Sequence, residues 1–165
     1  MFQLGSKSKS NLVGVHPIMA AIVTRAIELT KQDFMVFEGP RTLERQKKLV
    51  ASGASKTLKS MHIPKPDVYG KVPGELGHAV DLVPYIDGQA RWEWGAIYPI
   101  AAAVGQAATE QGVADKVCWG GVWDRWLNAY AGDAAAMKKA VEAYAARHPG
   151  PDFLDGPHFQ IGRLG

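Results

Sequence analysis

Two imidazoles and two carboxylates stand apart from the rest of this chain by type and setting. His62 follows Ser60-Met61, Asp81 closes the run Gly77-His78-Ala79-Val80-Asp81, and His158 lies within Asp155-Gly156-Pro157-His158-Phe159. Two histidines and one aspartate are donors that zinc takes in catalytic sites, where three protein groups leave a fourth position for water. Asp155 then remains as a base: Gly156-Pro157 is a turn that can aim it and His158 at one ion, so it can take a proton from such a water. Asp152 is a rival base, placed second because it is farther from His158.

Strand parity separates the ligands from a near neighbour. His78 to Val83 is apolar and β-branched, which reads as a buried strand closed by Pro84. Side chains alternate faces along a strand, so Asp81 shares a face with Ala79 and Val83 while His78 points the other way. His78 is therefore set aside as a structural or supporting residue. His16 and His148, each beside a proline at a helix end, also read as structural. Arg41 is the candidate for holding a substrate carboxylate or a developing negative charge, since its planar fork offers two parallel hydrogen bonds.

Helices and strands must bring these residues together across the length of the chain. His16-Pro17 opens a helix with Met19, Ile22, Val23, Ala26 and Ile27 at helical spacing, and 33–39 reads as a short strand. Gly39-Pro40 turns that strand into a helix through Leu43, Gln46, Leu49 and Val50, which places Arg41 at the corner. From Ala54 to Leu76 the Ser, Lys, Pro and Gly content predicts a loop of unusual length. Asp87-Gly88 signals a hairpin turn, an alanine-rich helix runs from Gly95 to Gln111, and Lys116 to Trp119 is a strand. Asp133 caps a last helix, and Pro157 to Ile161 is the final strand. The sum is an α+β fold, a small and mainly antiparallel sheet flanked by helices, in a single domain over residues 1–165.

Composition narrows the function classes. At 165 residues and 47% hydrophobic the chain can bury a full core, and its one cysteine, Cys118, excludes a disulfide framework and a Cys-rich zinc site. Cys118 itself reads as a small buried strand residue. The net charge of +3 comes from scattered Lys and Arg without a basic stripe, which favours an anionic surface such as cell wall over nucleic acid. No run has the length or apolarity of a signal peptide or a membrane span, so the expectation is synthesis in the cytoplasm without stable membrane insertion. Trp119, Trp123, Trp126 and Tyr130 read as core more readily than as a binding groove.

The ordered motifs Arg41-Thr42 with Gln46, Gly53 to Thr57, Ser60-Met61-His62, Gly77 to Asp81, Trp119-Gly120-Gly121 and Asp155 to Phe159 resemble those of the phage endolysins that are L-alanyl-D-glutamate endopeptidases. These are relatives of the zinc D-alanyl-D-alanine carboxypeptidases, and the resemblance spans nearly the whole chain. It implies a zinc metallopeptidase with His62, Asp81 and His158 as ligands, Asp155 as base, and Ser60 and Gln46 as substrate neighbours of Arg41. The implied partner is the peptidoglycan stem peptide, met by a monomer in the periplasm or wall after another protein breaches the host membrane. Residues 63–76 and 124–154 depart from the compact family pattern as insertions. Rival functions are a D-alanyl-D-alanine carboxypeptidase, a muramidase using Glu38 with Glu75, and a wall-binding module with a structural zinc.

Overall fold

The computed structural model describes residues 1–151 and 153–165. In chain order the elements are α1 (Ser6–Asn11), α2 (Pro17–Leu29), β1 (Phe34–Glu38), α3 (Leu43–Ala51), β2 (Lys65–Pro66), β3 (Glu75–Leu76), β4 (Ala79–Ile86) and β5 (Gln89–Ala90). They continue with α4 (Trp94–Glu110), β6 (Val117–Trp119), β7 (Val122–Trp126), α5 (Ala134–Arg147) and β8 (His158–Ile161). The main sheet runs β1-β4-β8-β6-β7 with every pairing antiparallel, and β5 adds to β4. This is the α+β architecture expected.

Alternation sorts the sheet's two faces. Phe34 and Val36 of β1, Val80 and Leu82 of β4, Phe159 and Ile161 of β8, and Val117 and Trp119 of β6 join one apolar core with α2 and α4. The intervening residues, among them Asp81, His158 and Gln160, lie on the other face. Burial of the apolar set drives folding, at about 25 cal/mol for each Å² removed from water. The polar set lines a cavity together with Arg41, Ser60 and His62. No helix among the described residues is long and apolar enough to cross a membrane.

Local chemistry explains most element ends. His16 Nδ1 accepts the Ile18 N–H ahead of Pro17, Thr42 Oγ1 accepts the Arg45 N–H, and Asp133 Oδ1 accepts the Ala136 N–H, so three helices begin with a capped turn. Asp87 and Gly88 both have positive φ, 51° and 75°, as a two-residue hairpin turn of this hand requires.

Three features differ from the sequence reading. β4 does not stop at Pro84 but runs to Ile86, with Pro84 opposite Phe34. The Pro84 carbonyl accepts from Arg91 N–H on the β5 side, and in an antiparallel strand a residue's N–H and C=O share an edge. The missing N–H therefore faces away from β1 and costs that ladder nothing. Second, a polar helix, α1, precedes the His16 helix: the Val36 N–H donates to Ser8 Oγ, and Asn11 Nδ2 donates to the carbonyls of Val36 and Phe37. It thus covers the open edge of β1. Third, β7 follows Gly120-Gly121 as the partner of β6.

Candidate active site

Sheet register sets three acidic or imidazole side chains abreast. Glu38 of β1 pairs with Asp81 of β4, and Asp81 pairs with His158 of β8. A bulge between Val36 and Glu38 brings Glu38 into that row and leaves Phe37 half exposed. His62 comes from outside the sheet. Its carbonyl accepts the Arg41 N–H (2.8 Å), the adjacent Met61 carbonyl accepts the His78 N–H (2.8 Å), and its own N–H donates to Ser60 Oγ (3.2 Å). The segment is held between the strand-to-helix corner and the start of β4.

The result is a nearly equilateral triangle. His62 Nε2 lies 3.1 Å from Asp81 Oδ1 and 3.2 Å from His158 Nδ1, and His158 Nδ1 lies 3.1 Å from Asp81 Oδ1. Each imidazole has its other nitrogen committed: His62 Nδ1–H donates to the Gly39 carbonyl (2.8 Å), and His158 Nε2–H donates to Gln160 Oε1 (2.9 Å). Gln160 is fixed in that orientation because its Nε2 donates to the Arg163 carbonyl (3.0 Å). With neutral rings, three lone pairs converge on one point, an arrangement that only a cation or a proton makes favourable.

Titration follows from the same convergence. Burial works to raise the Asp81 carboxyl, but the charge of His62 and the hydrogen bond from His158 outweigh it and hold it far below the usual carboxylate range. Burial works to lower His158, and Asp81 overrides it, so the imidazole is held above its ordinary value. For zinc, Zn–N distances of about 2.0–2.1 Å in a tetrahedral shell put ligand atoms about 3.3 Å apart, close to the spacing seen. The donor set and its supporting hydrogen bonds fit that ion.

Asp155 stands beside the triangle on a loop clamped by the β6–β7 hairpin. Its N–H donates to the Gly120 carbonyl (2.9 Å), Trp119 Nε1–H to Gly156 O (2.7 Å), and Trp123 Nε1–H to Phe153 O (2.7 Å). Gly120 is required here, since a Cβ would run into the Asp155 carbonyl. Burial first, and the Asp81 charge second, push the Asp155 carboxyl above its ordinary value.

Arg41 is 9% exposed and heavily engaged. Its Nη1–H donates to Gln46 Oε1 (2.7 Å), and its Nη2–H to Glu38 Oε2 (2.6 Å) and Asp81 Oδ2 (3.4 Å). Gln46 is fully buried behind it and donates to Ser55 Oγ and Thr57 O, so it holds a loop and does not line the cavity. Ser60 is buried and does line it. The site opens into a cavity of about 990 Å³. Trp119 is core, while Trp123 reaches the cavity with its ring centroid 5.3 Å from that of His158.

His78 sits on the opposite face, in a second group with His16 and Asp67. His148 is a half-exposed helix-end residue paired with Asp124 (3.1 Å). The muramidase pair does not form: Glu38 is bound by Arg41 and Arg45, and Glu75 lies exposed on β3, away from the cavity. Burial works to raise Glu38, but those two arginines hold it below the ordinary value, the reverse of what a general acid needs. Asp152 lies outside the described residues.

Comparison with known proteins adds an independent line. The family model described as phage L-alanyl-D-glutamate peptidase matches residues 1–141. The chain belongs to that family. It is 31% identical over 127 residues to the L-alanyl-D-glutamate peptidase of Escherichia phage T5, covering 74% of this chain and 82% of that protein. It is also similar to the crystal structure of the Serratia marcescens L-Ala D-Glu endopeptidase ChiX, at TM-score 0.64 and 32% identity over 94% of this chain and 86% of that one.

The family match reaches His62 and Asp81 but ends before Asp155 and His158, whose assignment therefore stands on the geometry above. Sequence reasoning missed the groups that aim the two imidazoles, Gly39 and Gln160, and the two indoles that hold the Asp155 loop. For Gln160 a signal was present, since a residue two positions after His158 on a strand shares its face.

Proposed function

We propose that the protein is a zinc-dependent peptidoglycan endopeptidase that hydrolyses the L-Ala–D-Glu bond of the stem peptide, with His62, Asp81 and His158 as ligands and Asp155 as base. The triangle of three lone pairs carries this reading, because no structural role requires them to converge unprotonated. When bound, zinc would supply a Lewis acid for the scissile carbonyl and lower the pKa of water to about 7. Asp155 accepts the proton of the attacking water and passes it to the departing amine, a task suited to a buried carboxyl beside the three donors. Gly39 and Gln160 keep the ligand nitrogens aimed inward.

Arg41 lines the cavity with its charge beside Asp81, where it steadies that carboxylate and faces the oxyanion that forms during attack. Ser60 offers its hydroxyl at the cavity wall. The site is complete within one chain, so a monomer suffices, and its substrate lies in the cell wall, reached once the host membrane is breached. A D-alanyl-D-alanine carboxypeptidase would share the chemistry but free D-alanine. Mass spectrometry of peptidoglycan digested with and without a chelator tests the reading. A new glutamyl amino terminus that vanishes on chelation supports it, and chelator-resistant lysis or release of D-alanine alone overturns it.

A further inference from the structure

Three side-chain carboxylates line the cavity among the described residues, Glu38, Asp81 and Asp155, against four arginine and lysine cations. Two of those cations are neutralised: Arg41 by Glu38 and Asp81, and Arg45 by Glu38. The other two, Lys56 and Arg163, have no carboxylate partner among the described residues. Arg163 is exposed but not adrift, because its Nη2–H donates to the Lys59 carbonyl (2.7 Å). The next carbonyl, Ser60 O, accepts from Lys65 Nζ (3.1 Å), so two cations flank the segment leading to His62. The Arg163 carbonyl is tied through Gln160 to His158. Lys56 Nζ lies 5.3 Å from the centroid of the Phe153 ring, on the loop that carries Asp155.

Resting on the peptidase reading above, we infer that Arg163, assisted by Lys56, binds the free carboxylate of the glutamyl residue on the amine side of the scissile bond. A glutamyl residue has two carboxyl groups and the peptide chain uses one, so the other remains as an anion close to the reacting atoms. Arg41 is poorly suited to this task, with both terminal nitrogens already bound to protein acceptors. Arg163 spends one donor on Lys59 and keeps four, in a planar fork that matches a carboxylate. The protein thereby distinguishes a glutamyl residue from its amidated form.

The test uses two synthetic stem peptides that differ only in this group, carboxylate in one and carboxamide in the other. Ratios of kcat/KM are measured for zinc-loaded wild type, Arg163→Ala, Arg163→Lys and Lys56→Ala, each first checked for a cooperative melt. Wild type is expected to favour the acid about tenfold, as a charge-assisted pair should give. Arg163→Ala brings the ratio to about one, Arg163→Lys falls between, and Lys56→Ala lowers it in part. A wild-type ratio near one, or a ratio unchanged in both alanine variants, overturns the inference while leaving the peptidase intact. Cleavage of neither peptide by wild type overturns the peptidase reading and this inference with it. Should Arg163→Ala not fold, an undiminished ratio in both Arg163→Lys and Lys56→Ala is the overturning result.

Discussion

Among the described residues there are two His–Asp–His groups of the same composition, one built on Asp81 of β4 and the other on His78 just ahead of that strand. In His62–Asp81–His158 the outward nitrogens are satisfied and the inward ones face each other. In His16–Asp67–His78 nothing is left over. His16 Nδ1 accepts from Ile18 and its Nε2–H donates to Asp67 (2.9 Å), while His78 Nδ1–H donates to Leu76 O and its Nε2 accepts from Val68 N–H. Asp67 also accepts the N–H groups of Tyr69, Lys71 and Val72. A metal there would have to displace bonds already made. Residue type and proximity therefore do not define a metal site; the lone pairs left unspent do.

The largest expected effect breaks the comparison at its centre. Zinc titrated into metal-free protein should bind one equivalent, and Asp81→Asn or His62→Ala should abolish both binding and hydrolysis. His78→Asn should leave the stoichiometry at one. Two equivalents in wild type would show that both groups load, and one retained in Asp81→Asn would show that the second group is the one that does.

How far the sequence foretold this contrast depends on which bonds are local. Strand parity separates Asp81 from His78 within four residues, and Asp155-Gly156-Pro157-His158 is a local turn, so both were legible. The partners of Arg41 were not: its bonds to Glu38 and Asp81 depend on a bulge in β1 and on the register of two strands. The 54–76 segment looked like a plain loop because its order comes from Asp67 receiving main-chain N–H groups and from a two-residue pairing of β2 with β3. α1 has no apolar stripe to reveal it and is held by Ser8 and Asn11. Short-range chemistry can be read from one sequence, whereas the choice among distant polar partners cannot.

Next in size is the separation of metal binding from catalysis. Asp155→Asn should retain zinc with wild-type stoichiometry yet hydrolyse stem peptide about 10²–10⁴-fold more slowly, the usual worth of a positioned base. Full activity in this variant would remove Asp155 from the mechanism. Smaller again is the effect of loosening one ligand. Gln160→Ala frees the His158 ring, and zinc affinity should weaken by about 10–100-fold, measured by competition with a chromophoric chelator. An unchanged affinity would mean that β8 alone orients the imidazole.

The mildest test concerns the satisfied group and reads stability, not activity. Burial works to raise Asp67, but the three main-chain N–H groups and His16 outweigh it and hold the carboxyl well below its ordinary value. A depressed folded pKa contributes stability that is fully present above the unfolded value of about 3.9 and is lost as pH falls toward the folded one. Asp67→Asn keeps the shape and one acceptor oxygen but removes the charge. Wild type should therefore melt above the variant at pH 7, with the gap closing progressively as pH drops below about 4, while zinc stoichiometry stays at one throughout. A gap that is constant from pH 7 to pH 3 would place the stabilisation in packing and not in the charged hydrogen bonds. A loss of zinc in this variant would show that the two groups are coupled through β4, against the independence that their separate hydrogen-bond networks imply.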